Sequence, residues 1–67
     1  MRNFYLAQKA DGDRFTNLMS IMANDPQRAK LIYHQETLRE TGNKVFFHNV
    51  YVISRGMFFF QLNRRYP

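Results

Sequence analysis

Sixty-seven residues make one small domain, in which folding removes only about 60% of the unfolded chain's surface from water. Hydrophobic residues reach 45% and aromatic residues 16%, too apolar for a disordered tail, and the formal net charge is +5. The absence of Cys excludes a disulfide framework, a thiol nucleophile and thiolate zinc centres, and the basic balance excludes an acidic nucleic-acid mimic.

Residues Asn3 to Gln8 read as a short strand, with Phe4 and Leu6 on one side and Tyr5 and Ala7 on the other. This apolar stretch is too short for a signal-peptide core, and no small-residue cleavage site follows it. The longest apolar runs, Val50 to Ile53 and Met57 to Phe60, fall far short of the roughly 18 residues that span a bilayer, so a soluble, cytoplasmic protein is expected. Lys9 to Asp13 is a polar break in which Gly12 is free to turn. A helix is expected next, with Asp13 as its N-cap. Phe15, Leu18, Met19, Met22 and Ala23 recur at three- and four-residue spacing and share a face with Ile21, while Thr16, Asn17, Ser20 and Asn24 lie opposite.

Asn24-Asp25-Pro26 interrupts that pattern. Asp25 as N-cap and Pro26 at the first position start a second helix, or the second arm of a kinked one, running to about Thr41. Its apolar residues, Ala29, Leu31, Ile32, Tyr33 and Leu38, spread over more than half its circumference, and Gly42-Asn43 supplies the stop. From Lys44 to Tyr66, Val, Ile, Phe and Tyr dominate, which is strand composition. A two-residue loop at Arg55-Gly56 would set Ile53 against Phe58, Tyr51 against Phe60 and Asn49 against Leu62. On the other face it would set Val52 against Phe59, Val50 against Gln61 and His48 against Asn63. His48-Asn49 is either a bulge or a tight turn. The expected fold is one α+β domain over residues 1–67 in the order β-α-α-β-β.

This hairpin would be apolar on both faces: Phe47, Tyr51, Ile53, Phe58, Phe60 and Leu62 on one, Phe46, Val50, Val52, Met57 and Phe59 on the other. Three arrangements satisfy it. The helices straddle the sheet, the second face meets a protein partner or a second copy, or it stacks nucleic-acid bases. Charge is concentrated in the same half. Residues 1–40 hold six cations and five acids, a net of +1, whereas residues 41–67 hold Lys44, Arg55, Arg64 and Arg65 and no acid, a net of +4. Such a footprint suits phosphates or an acidic protein surface, and charge on strands also discourages edge aggregation.

The segment Arg55-Gly56-Met57-Phe58-Phe59-Phe60-Gln61-Leu62 resembles the signature strand of the RNA-recognition motif, with Arg55, Gly56 and Phe59 as strict matches. The resemblance implies that Arg55, Met57 and Phe59 face RNA while Phe58, Phe60 and Leu62 pack inward. It covers eight residues, and the chain lacks that family's second helix and fourth strand. Two helices followed by a basic hairpin is also the order of a winged-helix DNA binder, with Arg28, Lys30, Gln35 and Arg39 on the recognition helix. The connection lacks the usual glycine, and Glu36 and Glu40 would repel phosphate.

Signals for catalysis are sparse. A ribonuclease-type toxin would use His48 as base, with Arg64 or Arg65 on phosphate and Tyr66 nearby. Asp11-Gly12-Asp13 lacks the later ligands of a calcium loop, His34 and Glu36 make no zinc signature, and Ser20 and Ser54 have no nucleophile-elbow context. No metal and no cofactor are expected, and Met19, Met22 and Met57 read as pliable filler. The leading expectation is a small non-enzymatic regulator, of the kind carried by phages and mobile elements. It would bind a larger protein or its own copy through Val50, Val52, Arg55, Met57, Phe59, Arg64 and Arg65. The alternative is nucleic-acid binding through Lys44, His48, Arg55, Phe59, Arg64 and Arg65, and a ribonuclease stands third.

Overall fold

A computed structural model describes residues 1–12, 14–45 and 47–65, the side chains of Phe47 and Arg65 aside. The chain runs β1 (Arg2–Lys9), β2 (Phe15–Ala23), α1 (Pro26–Thr41), a 3-10 turn (Phe47–Asn49), β3 (Val50–Ile53) and α2 (Arg55–Arg65). The strands form one antiparallel sheet in the order β2-β1-β3. The class is α+β, as expected, but the order is β-β-α-β-α.

β1 is the central strand, and its two apolar faces explain why. Phe4 and Leu6 are buried toward α1, and Tyr5 and Ala7 lie toward α2. At its end the chain reverses through Asp11-Gly12, with Gly12 at φ +70° and the Ala10 amide donating to the Arg14 carbonyl at 2.8 Å. The polar break is therefore a hairpin turn, and the helix expected from Asp13 to Asn24 is strand β2. The residues that fit the helical period also fit a strand covered on both sides: Met19, Ile21 and Ala23 lie opposite Leu6, Phe4 and Arg2. A free helix of about ten residues is marginal in water, whereas β1 offers an open edge along its whole length. Asp13, expected as the helix cap, lies outside the described residues.

The β1–β2 ladder contains a bulge. Leu6 faces Met19, yet Gln8 faces Thr16, so β2 carries one extra residue there. Asn17 absorbs it at φ 53°, a left-handed conformation that Asn tolerates better than most residues. Its side-chain Nδ2 donates to Gln8 Oε1 at 3.1 Å and to Thr37 Oγ1 at 3.2 Å. Its carbonyl accepts from the Tyr33 hydroxyl at 2.7 Å. Burial of Tyr33 pushes its phenol up to about 12.

α1 is bounded as the sequence indicates. Asp25 is extended at φ −151° and its Oδ1 accepts from the Arg28 amide at 2.8 Å; Gly42, at φ 75°, donates to the Leu38 carbonyl at 2.8 Å. Ala29, Tyr33 and Thr37 form its buried stripe. They close a core with Phe4, Leu6, Ile21, Ala23, Val45 and Val50, which leaves Leu31 and Leu38 exposed.

The expected C-terminal hairpin is corrected to a short strand followed by a helix. β3 pairs with β1 instead, Ile53 with Tyr5, Val52 with Leu6, Tyr51 with Ala7 and Val50 with Gln8. Arg55-Gly56 is the first turn of α2, not a loop, so none of the six cross-strand pairs expected beyond it forms. Ser54 starts the helix, its Oγ accepting from the Met57 amide at 3.0 Å and its carbonyl from the Phe58 amide at 2.9 Å. Phe58 and Gln61 are buried and Leu62 half-buried, a three- and four-residue spacing on one helical face. Phe58 packs on Tyr5 with ring centroids 4.9 Å apart. The Phe-rich composition that read as strand therefore covers the second face of the sheet, because strand propensity largely reports fit to a half-buried surface. One helix lies on each face, the straddled arrangement, although the straddling helices are α1 and α2. His48-Asn49 belongs to the 3-10 turn that leads into β3, rather than to a bulge within a strand. The segment resembling the RNA-recognition motif is helical, so the alternating strand facing implied for it is absent. Phe46 and Tyr66 lie outside the described residues. No helix among the described residues is long and apolar enough to cross a membrane.

Candidate functional site

The residues expected to make contacts are divided among five places. Val50 is 2% exposed and belongs to the core under α1. Val52 is 42% exposed on the edge strand β3. Arg55, Met57, Phe59 and Arg64 are together on α2, and Arg65 ends that helix, its side chain outside the described set. Lys44 is exposed in the connection after α1. His48 lines a recess of about 370 Å³ with Gln27, Lys30 and Leu31, beside α1. Its expected catalytic companion Arg64 lines a different recess. His34 sits with Nδ1 3.1 Å from the Val45 carbonyl oxygen, which selects the Nδ1–H tautomer and ties α1 to the strand connection.

On the α2 side of the sheet, three aromatic rings are each paired with a cation. The Lys9 ammonium lies 5.9 Å from the Tyr51 ring centre, the Arg55 guanidinium 5.7 Å from Phe59 and the Arg64 guanidinium 5.7 Å from Phe60. Tyr51 meets Phe15 edge-on at 6.1 Å, and Phe59 meets both Tyr5 and Phe58. Three of these rings remain open to solvent, Phe60 most of all at 56%. Each cation–ring pair at such exposure is worth about 0.5–1 kcal/mol, enough to hold the guanidinium groups near the rings but not to bury them. Arg55 opens a helix whose first turn holds no acid, the end at which the helix dipole favours a negative charge. A cation at that end opposes the dipole, at a cost to local stability.

Where β2 begins and α2 ends, Arg14, Phe15, Gln61 and Arg64 surround a recess of about 250 Å³. Gln61 is 8% exposed, and its Nε2 donates to the Met57 sulfur at 3.7 Å. The bulge at Asn17 brings Phe15 to this side. With one extra residue in β2, Phe15 falls opposite Lys9 and shares the α2 face with Tyr51.

Sequence reading named Arg55, Phe59 and Arg64 and did not single out Lys9, Arg14, Phe15 or Gln61, which the structure places on the same side. Their meeting depends on the β1–β2 turn and on α2 being a helix. The available signal was Asp11-Gly12 between two apolar stretches, a strong indication of a hairpin. Among the described residues, no group of three His, Asp or Glu side chains is placed to hold a metal ion. No protein-family model, curated protein or solved structure matches this chain.

Proposed function

We propose that this chain is a non-enzymatic binding protein that holds single-stranded nucleic acid against the α2 side of its sheet. One observation carries the reading: three part-exposed rings on that side are each paired with a cation, Tyr51 with Lys9, Phe59 with Arg55 and Phe60 with Arg64. No acidic residue follows Glu40. Asp25, Glu36 and Glu40 belong to α1 or its cap, on the opposite face. Exposed rings offer every base a stacking surface worth about 1–3 kcal/mol, and cations beside them meet the phosphates.

The test is fluorescence polarisation of a labelled mixed-sequence single strand as salt is raised. Four phosphate contacts, through Lys9, Arg14, Arg55 and Arg64, give a slope of log K against log salt near −3, at about −0.7 per contact. Arg55→Ala with Arg64→Ala removes about half of that slope. Phe60→Ala costs about tenfold in affinity and leaves the slope unchanged. Failure to bind at low salt refutes the reading.

A second reading, a protein partner or second copy over the same side, draws support from the exposure of Met57, Phe59 and Phe60. It requires association that survives high salt. A salt-insensitive dimer by light scattering, indifferent to oligonucleotide, favours it.

A further inference from the structure

We infer that the recess among Arg14, Phe15, Gln61 and Arg64 takes one nucleotide of the bound strand. Its phosphate lies between the two guanidinium groups, and its base lies on Phe15 with one edge against the Gln61 amide. The inference rests on the nucleic-acid reading above and names the subsite within it.

Three features converge on it. The first is the size and lining of the recess. At about 250 Å³ it has the volume of roughly eight waters, which suits a group the size of one nucleotide and not a folded partner. The second is Gln61. It occupies the buried face of α2 between Phe58 and Leu62, where a helix that merely covered a sheet would carry an apolar side chain. An amide so buried ordinarily meets oxygen or nitrogen, yet the described partner of its Nε2 is a thioether 3.7 Å away, a weak acceptor. A polar group breaking the local pattern at the floor of a recess is the kind of departure that function explains. The third is charge. Among the described residues the one ion pair is Arg39 with Glu36, on the far side of the sheet, so Arg14 and Arg64 meet no described carboxylate across the recess. Asp11 stands in the turn at this end of the sheet, exposed.

The chemistry of the four side chains selects among anions. Two guanidinium forks match a phosphate, which accepts paired hydrogen bonds from each. A plain anion site has no use for a half-buried ring, whereas a base stacks on one. The amide presents one donor side and one acceptor side, the pattern that pairs with adenine through its amino group and adjacent ring nitrogen. Adenosine 5′-monophosphate is therefore the smallest ligand that uses the whole recess.

The experiment is NMR titration of the isotope-labelled full chain, following the Gln61 side-chain NH2 and the Arg14 and Arg64 Nε–H signals. The probes are adenosine 5′-monophosphate, adenosine, inorganic phosphate and a single-stranded hexamer. The monophosphate is expected to shift all three groups and to bind at least tenfold more tightly than adenosine or phosphate alone. Arg14→Gln, at an exposed position that does not threaten folding, is expected to weaken it about tenfold. Gln61→Met, similar in volume, is expected to remove the preference for adenine over thymine in homopolymer hexamers. Phosphate binding as tightly as the monophosphate, or wild-type base preference in Gln61→Met, overturns the inference. The two failures are distinguishable. If the hexamer binds while the recess signals stay still, strand binding stands and the subsite falls. If the monophosphate enters the recess but no hexamer binds at low salt, strand binding falls and the strand subsite falls with it, leaving the recess as a site for a free nucleotide only.

Discussion

Replacing Asn17 tests whether the bulge holds the sheet in its observed register. Asn17 sits at φ 53°, bonds Gln8 and Thr37 through its side chain, and accepts from Tyr33 through its carbonyl. Asn17→Ala removes two side-chain hydrogen bonds, each worth about 1 kcal/mol net, and leaves the nearly buried Thr37 hydroxyl without that donor. It also places alanine, which tolerates the left-handed region less well than Asn, at φ 53°, a further cost of up to about 1 kcal/mol. The sum is up to about 3 kcal/mol, a large share of the roughly 3–10 kcal/mol expected for a chain of this length. Asn17→Gly loses the same side-chain bonds but relieves the backbone. Its greater unfolded entropy offsets part of that relief, so it is expected to be up to about 1 kcal/mol more stable than the alanine variant. Urea unfolding followed by circular dichroism measures both, and each 1 kcal/mol corresponds to about 4–8 °C in Tm. An alanine variant within about 0.5 kcal/mol of wild type, or no less stable than the glycine variant, refutes the reasoning.

Two further predictions concern parts of the fold that sequence reading did not anticipate. Tyr33→Phe removes the hydroxyl bond to the Asn17 carbonyl and is expected to cost about 1–2 kcal/mol at neutral pH. The phenol titrates near 10 unfolded and about 12 folded, so the folded state holds the extra proton in that window and wild-type stability falls as pH rises through it. The loss reaches about 1.4 kcal/mol near pH 11, so urea midpoints of wild type and Tyr33→Phe should converge there; a constant gap from pH 8 to 11.5 contradicts it. Gly56→Ala distinguishes helix from hairpin. Gly56 has open space where a β-carbon would stand, so alanine should stabilise α2 by about 0.5–1 kcal/mol, whereas Ser54→Ala should cost about 1 kcal/mol through the lost cap. A destabilised Gly56→Ala would instead fit a two-residue loop.

The parts legible in the sequence are those whose signals are local and chemically specific. Asp25, Pro26 and Gly42 bound α1 because capping requires particular groups at particular positions. Phe4 to Ala7 read as strand, and their double-sided apolarity belongs to a central strand. β2 is hidden because Leu18, Met19, Ile21 and Met22 satisfy the helical and strand periods alike, and that apolar pattern masks the turn signal of Asp11-Gly12. α2 is hidden because Phe58, Phe59 and Phe60 are good strand residues, while the helical spacing of Phe58, Gln61 and Leu62 contains an amide at a buried position. The site inherits both difficulties. Arg55, Phe59 and Arg64 are neighbours on one short segment in any conformation, so they were found. Arg14 and Phe15 join Gln61 and Arg64 only once β2 and α2 are both in place.

The bulge connects these two failures physically. Along β2 from Met19, which shares the α1 face with Leu6, regular alternation would return Asn17 and Phe15 to that same face. The extra residue at Asn17 inverts the alternation, so Thr16 lies opposite Gln8 on the α1 side and Phe15 opposite Lys9 on the α2 side. The groups that stabilise the inversion, Gln8, Tyr33 and Thr37, all lie between the sheet and α1, while the ring it reorients lines the recess beneath α2. A one-residue device in the core thus presents an aromatic ring to Gln61 and Arg64 across the sheet. That accounts for a polar network in a core with little area to spare: a regular ladder would send Phe15 under α1 and leave the recess without its ring.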